Sequence, residues 1–278
     1  MFFGLLFKQK IGLVALLSFL AITCITFFKS ALELEDAEQA YYSQWLRWGY
    51  DDQPPLYTWL QYWVNQIFGV TKLSFSVLRA ALFSSVLAAL WHFGRSMRLN
   101  EKQSELAVFS LVLLPVFIDF MFRRLSHTSL LCLVILVSFI VIQRLLQDKT
   151  YINYMFLGLV VGIGILSKYN YILFLAAFGI VLFFDKALRQ VVFNKKILFS
   201  VCIASLLLAP HVYWLFGPDG FLKELRESIA LKTERSSDTG LYVLSPLFSF
   251  VVTLLKLLAP LLAVLSVAYI LKLVNFWK

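Results

Sequence analysis

"ELEDAEQAYYSQWLRWGYDDQPPLYTWL", residues Glu33 to Leu60, interrupts a chain that otherwise avoids charge. It sets six carboxylates, Glu33, Glu35, Asp36, Glu38, Asp51 and Asp52, among aromatic side chains and includes a double proline. Long apolar runs flank it. An acidic segment of this kind leaves the hydrocarbon, so the runs beside it read as separate crossings. The bulk composition agrees: 278 residues, 60% hydrophobic and only 15% charged, with a mean hydropathy of +0.81. Such a chain is too oily for a soluble domain and reads as an all-α, polytopic transmembrane bundle forming one domain over 1–278.

Outward from this stretch, apolar runs predict spans at about 11–28, 74–94, 105–122, 127–146, 154–167, 170–184, 197–216 and 244–271, about eight in all. The first outer loop covers 29–73 and a second covers 217–243. Lys8 and Lys10 precede the first run, which lacks a small-residue cleavage site and reads as a retained span. A cytoplasmic N-terminus places Arg95, Arg98, Lys102, Arg144, Lys149, Lys186, Arg189, Lys195 and Lys196 inside and the acidic stretch outside. The net charge of +9 then reflects topology and contact with anionic membrane lipids. No basic stripe interleaved with aromatics is present to suit nucleic acid. Cys24, Cys132 and Cys202 read as buried small hydrophobes, and neither they nor His92, His127 and His211 have metal-ligand spacing, so no metal or cofactor is expected. No glycine-rich phosphate loop points to a nucleotide.

Within the opening stretch, Asp36 followed by Gln39 reads as a capping box. Ala37, Ala40, Tyr41, Trp45 and Trp48 then recur at helical spacing, which predicts an interfacial helix with one apolar face. Gly49 to Asp52 breaks it, and Pro54-Pro55 starts a second interfacial helix with Tyr57, Trp59, Tyr62 and Trp63 at headgroup level.

The run "EDAEQAYYSQWLRWGYDDQPPLYTWL" resembles the first outer loop of the glycosyltransferase C superfamily, in the branch of bacterial relatives of dolichyl-phosphate-mannose protein mannosyltransferases and lipid A aminoarabinose transferases. The similarity continues in order through "VLRAALFSSVLAAL" (77–90), "RRLSHTSLL" (123–131), "GILSKYNYILFL" (164–175) and "APHVYWL" (209–215). It implies a bacterial inner-membrane enzyme that moves a sugar, with inversion, from a polyprenyl-phosphate donor to a lipid, glycan or protein acceptor at the outer face. A loop carboxylate would serve as base or orient the acceptor, and cations would hold the phosphate. Asp36 ranks slightly ahead of Glu35 as that base, each with a plain alternative as helix cap or solvated acid. Glu38 and Asp52 are candidate orienting residues, Asp52 with an N-cap alternative. Arg79, Arg123, Arg124 and Lys168 are candidate phosphate ligands, each with snorkelling as the alternative. His127 stands where many relatives carry an Asp, and takes either a polar or a structural role. Relatives of this kind continue through further spans, so a C-terminal region is expected to be missing, with a partner subunit as one remedy. Two other readings stand beside the enzyme: a non-catalytic scaffold that binds lipid-linked sugar, and a secondary transporter using Lys256 or Asp119.

Overall fold

The computed structural model describes residues 10–50, 53–112, 114, 126–217, 252 and 266. Over these it is helical throughout, apart from turns and an isolated bridge between Tyr50 and Gln53. In chain order the helices are α1 (Lys10–Phe27), α2 (Leu34–Tyr42), α3 (Leu56–Phe68), α4 (Lys72–Ser96), α5 (Glu101–Val112), α6 (Ser126–Gln147), α7 (Tyr151–Ser167), α8 (Tyr171–Phe184), α9 (Lys186–Val192) and α10 (Ile197–Leu215). The far part of the predicted third span, the predicted eighth span apart from two isolated residues, and the loop beyond Gly217 lie outside the described residues. So do Asp51, Asp52, Arg123 and Arg124.

Helix α4 organises the bundle. One side of it, through Leu78 and Leu82, joins Leu130, Val134, Val141 and Leu145 of α6, Tyr154 and Val160 of α7, and Tyr171 of α8. The other, through Ala80, Phe83, Val86 and Leu87, meets Ile11 and Ile22 of α1 and Val108 of α5. Burial on both faces explains why α4 has apolar residues around most of its circumference. Its start is fixed by a reciprocal cap between Thr71 and Ser74, and Lys72 Nζ donates to the Lys29 carbonyl at 2.9 Å.

Helices α7 and α10 pack closely because α7 carries glycine at the contact. A Cβ at Gly158 would lie 2.5 Å from the Ser200 carbonyl oxygen, and one at Gly162 would lie 2.9 Å from Leu207. Small residues four apart let two helix backbones approach, a device suited to a setting where lipid offers no hydrophobic drive for association. Ser200 Oγ adds a bond to the Tyr154 carbonyl at 2.6 Å.

Three described helices are long and apolar enough to cross a membrane: Lys72–Ser96, His127–Gln147 and Ile197–Leu215. A fourth results if α8 and α9, bent by 120° at their junction, count as one broken span. The apolar helices Ile11–Phe27 and Tyr151–Ser167 are shorter. Two expectations change. Cys24 and Cys202 are exposed on the outside of the bundle rather than buried. Tyr57, expected at headgroup level, is 1% exposed and belongs to the core, because the turn of α3 that carries it faces α6.

Candidate functional site

The acidic stretch folds differently from its sequence pattern. Glu33, in extended backbone, takes the N-cap position, so α2 begins two residues before Asp36 and no Asp36 capping box forms. The helix ends at Tyr42 instead of continuing to Trp48. Ser43 ends it, through its N–H on the Gln39 carbonyl at 3.0 Å, while Ser43 Oγ accepts from Asn65 Nδ2 of α3 at 2.8 Å. That cross-link to α3 turns the chain where a surface helix would have gone on.

The short helix therefore has distinct faces. Leu34, Ala37 and Tyr41 are exposed, whereas Asp36, Gln39 and Ser43 are buried against the bundle. Asp36 Oδ1 accepts from Arg79 Nη2 of α4 at 2.5 Å, both side chains less than a tenth exposed. Charge in such a place persists only when paired, so this contact fastens α2 to α4.

Beside it lies a cavity of about 190 Å³, lined by Glu35, Glu38, Gln39, Tyr42, Tyr50, Gln53, Thr58, His127 and Lys168. Glu35, Glu38, Gln39 and Tyr42 come from one side of α2, at i, i+3, i+4 and i+7. Asp36 and Arg79 are not among the lining residues. Lys168, the C-cap residue of α7, donates from Nζ to Thr128 Oγ1 at 2.8 Å. His127 is 7% exposed; its Nε2 accepts from Gln39 Nε2 at 3.4 Å, and its ring packs on Tyr57 with centroids 4.8 Å apart. Tyr50 Oη donates to the Trp45 carbonyl at 2.5 Å and accepts from the Arg47 N–H at 2.8 Å. Burial pushes the Tyr50 phenol above its ordinary pKa. It therefore stays neutral and braces the loop behind the cavity.

The same loop is held from α10. His211 Nδ1 donates to the Trp48 carbonyl at 2.7 Å, and the His211 ring stacks between those of Tyr169 and Trp214. A second cavity, about 260 Å³, is lined by Leu46, Arg47, Trp48, Trp59 and Trp63. Trp59 Nε1 donates to the Arg47 carbonyl at 2.7 Å, which fixes that indole.

Of the predicted site residues, the structure brings Glu35, Glu38, His127 and Lys168 into one cavity, sets Asp36 and Arg79 beside it as a pair, and leaves Asp52, Arg123 and Arg124 outside the described residues. Sequence reading missed Gln39, Tyr42, Tyr50, Gln53 and Thr58. The first two were within reach, since they follow Glu35 at helical spacing.

A family model for dolichyl-phosphate-mannose-protein mannosyltransferases matches residues 52–214, more than half of the 278-residue chain. The chain belongs to this family. Gln53, Thr58, Arg79, His127 and Lys168 lie within the part matched to the mannosyltransferase family, and Glu35, Glu38, Gln39, Tyr42 and Tyr50 precede it. The chain is also similar to two lipopolysaccharide core galacturonosyltransferases of Rhizobium johnstonii. It is 34% identical to RgtB over 189 residues, covering 66% of this chain and 37% of RgtB. To RgtA it is 30% identical over 187 residues, covering 67% of this chain and 38% of RgtA. The chain thus spans well under half the length of either relative. No solved structure matches it.

Proposed function

We propose that this chain is, or forms the N-terminal part of, a membrane glycosyltransferase that takes a sugar from a polyprenyl-phosphate donor and passes it, with inversion, to an acceptor at the outer face of the inner membrane. Family membership and the two transferase relatives support transfer of a glycosyl group. The observation that carries the reading is the cavity itself, in which two carboxylates and an ammonium group meet beside a surface rich in tryptophan.

In this reading Glu35 is the general base. The cavity lining includes Glu35 and Glu38, while Asp36 is committed to Arg79. A base has to reach the proton that it removes. A carboxylate already neutralised by a buried guanidinium is better suited to holding the site together. Lys168 supplies positive charge for the departing phosphate. The tryptophan cleft suits the apolar chain of the donor, with Arg47 at its edge. Given the galacturonosyl relatives, a hexuronic acid is the first sugar to test, and a lipopolysaccharide core glycan the first acceptor. The topology in this reading is about eight spans with the N-terminus cytoplasmic, α2 and α3 at the outer surface, and a partner subunit or further chain completing the enzyme.

Comparison of glycolipids from cells with and without the gene tests this. Loss of one sugar from one acceptor is expected. An unchanged glycolipid and glycoprotein profile would shift weight to a non-catalytic scaffold, and vesicle uptake without covalent transfer would favour a transporter.

A further inference from the structure

We infer that Gln39 and Thr58 read hydroxyl groups on the sugar held in the 190 Å³ cavity, and so decide which sugar the chain accepts. The inference rests on the proposed reading of that cavity as a sugar site and adds a specificity mechanism to it. Gln39 is 5% exposed and Thr58 is 1% exposed, on different helices, and both line the cavity. Gln39 Oε1 and Thr58 Oγ1 are buried with no hydrogen-bond partner among the described residues. His127 Nδ1, on a third helix lining the cavity, is a further such atom. Buried polar atoms are nearly always paired, so a group of unpaired ones in the wall of one cavity marks a place where a ligand completes the bonding.

Apart from His127, the neighbouring polar groups do not share this property. Asp36 is bonded to Arg79, Asn65 Nδ2 to Ser43 at 2.8 Å and Gln61 Nε2 to Asn65 at 2.8 Å. The wall is well satisfied except where it meets the cavity and at Gln61 Oε1, which does not line it. Gln61 therefore serves as a control.

The chemistry of the two atoms defines what they accept. The amide of Gln39 is oriented by its Nε2 bond to His127, leaving Oε1 as an acceptor only. An acceptor pairs with a hydroxyl hydrogen and gains nothing from a phosphate or carboxylate oxygen. Thr58 Oγ1 donates or accepts, and it makes no bond back to a carbonyl of its own helix. Together they favour a sugar face bearing neutral hydroxyls, while Lys168 and the two carboxylates handle charge and proton transfer. A sugar lacking the matching hydroxyl displaces water from the cavity and leaves a buried atom unpaired, which is why such sites discriminate strongly.

The test is equilibrium binding of polyprenyl-phosphate galacturonate and polyprenyl-phosphate mannose, and of their 2-, 3- and 4-deoxy forms, to the full chain in nanodiscs, with transfer assayed in parallel. For at least one of the two sugars, the wild type is expected to bind one deoxy form about 10- to 100-fold more weakly than the parent. Thr58→Val or Gln39→Met should bring that ratio close to one, mainly by weakening binding of the parent, whereas Gln61→Met should leave the ratio intact. Equal binding of parent and deoxy forms by the wild type, failure to bind either parent, or a ratio unaltered in both variants overturns the inference. A flat ratio with transfer that depends on Glu35 would overturn only the hydroxyl readers. A clear ratio that collapses in the variants, without transfer under any condition, would support the readers and count against the transferase reading.

Discussion

At the scale of single residues, the proposed function assigns the base to Glu35 and a structural pairing to Asp36, where the sequence placed Asp36 slightly ahead. Both are acids in adjacent positions of one helix, so neither composition nor spacing separates them. What separates them is a residue 43 positions away: Arg79 reaches Asp36 from α4. Asp36→Asn should therefore act mainly on stability. Removing one member of a buried ion pair costs about 3–5 kcal/mol, read as a lower midpoint of thermal unfolding in detergent, and Asp36→Asn with Arg79→Met should recover part of that loss. A full loss of transfer in Asp36→Asn at unchanged stability would contradict the assignment. For Lys168→Gln, loss of a charge-assisted contact should weaken apparent donor affinity by about 10- to 100-fold, measured as a rise in KM with a smaller change in kcat. Unchanged donor affinity would leave Lys168 with only its bond to Thr128.

At the scale of helices, hydropathy located most of the described elements. The predicted spans at 74–94, 127–146 and 197–216 correspond to α4, α6 and α10 with small shifts at their ends. Lipid enforces continuous apolar runs and internal backbone bonding, which makes such helices easy to read. The acidic stretch was harder. Its aromatic periodicity continues past Tyr42, but a bond from Asn65 to Ser43 and the pairing of Asp36 override it, and both partners lie far along the chain. Packing between helices gives a direct test. Gly158→Ala places a methyl against the Ser200 backbone and should cost about 1–3 kcal/mol. Gly179→Ala on α8, where a Cβ would meet nothing within 4 Å, should be neutral or slightly stabilising. Equal thermal stability of both variants would argue against the close α7–α10 contact.

At the scale of the whole molecule, the bundle has a chemical polarity. The cavity lies at one end of α7, where Lys168 caps the helix. At the other end Lys196 lies over Tyr151 at 4.9 Å and Lys149 Nζ donates to Gln190 at 3.2 Å. A 17-residue helix separates these ends by about 25 Å. In the proposed topology the basic turns at the end away from the cavity would face the cytoplasm and the cavity would face outward. In a cysteine-free background, Gln44→Cys should react with an impermeant thiol reagent from outside intact cells and Gln190→Cys should not; the reverse pattern would invert the orientation. The central claim is that Glu35 drives sugar transfer from a lipid donor in the outer leaflet. Initial rates of transfer at saturating donor and acceptor, compared for wild type and Glu35→Gln in membranes from the native cell, test it most directly. The account predicts a fall of about 10² to 10⁴ in rate for Glu35→Gln at unchanged thermal stability, and a rate equal to wild type would contradict it.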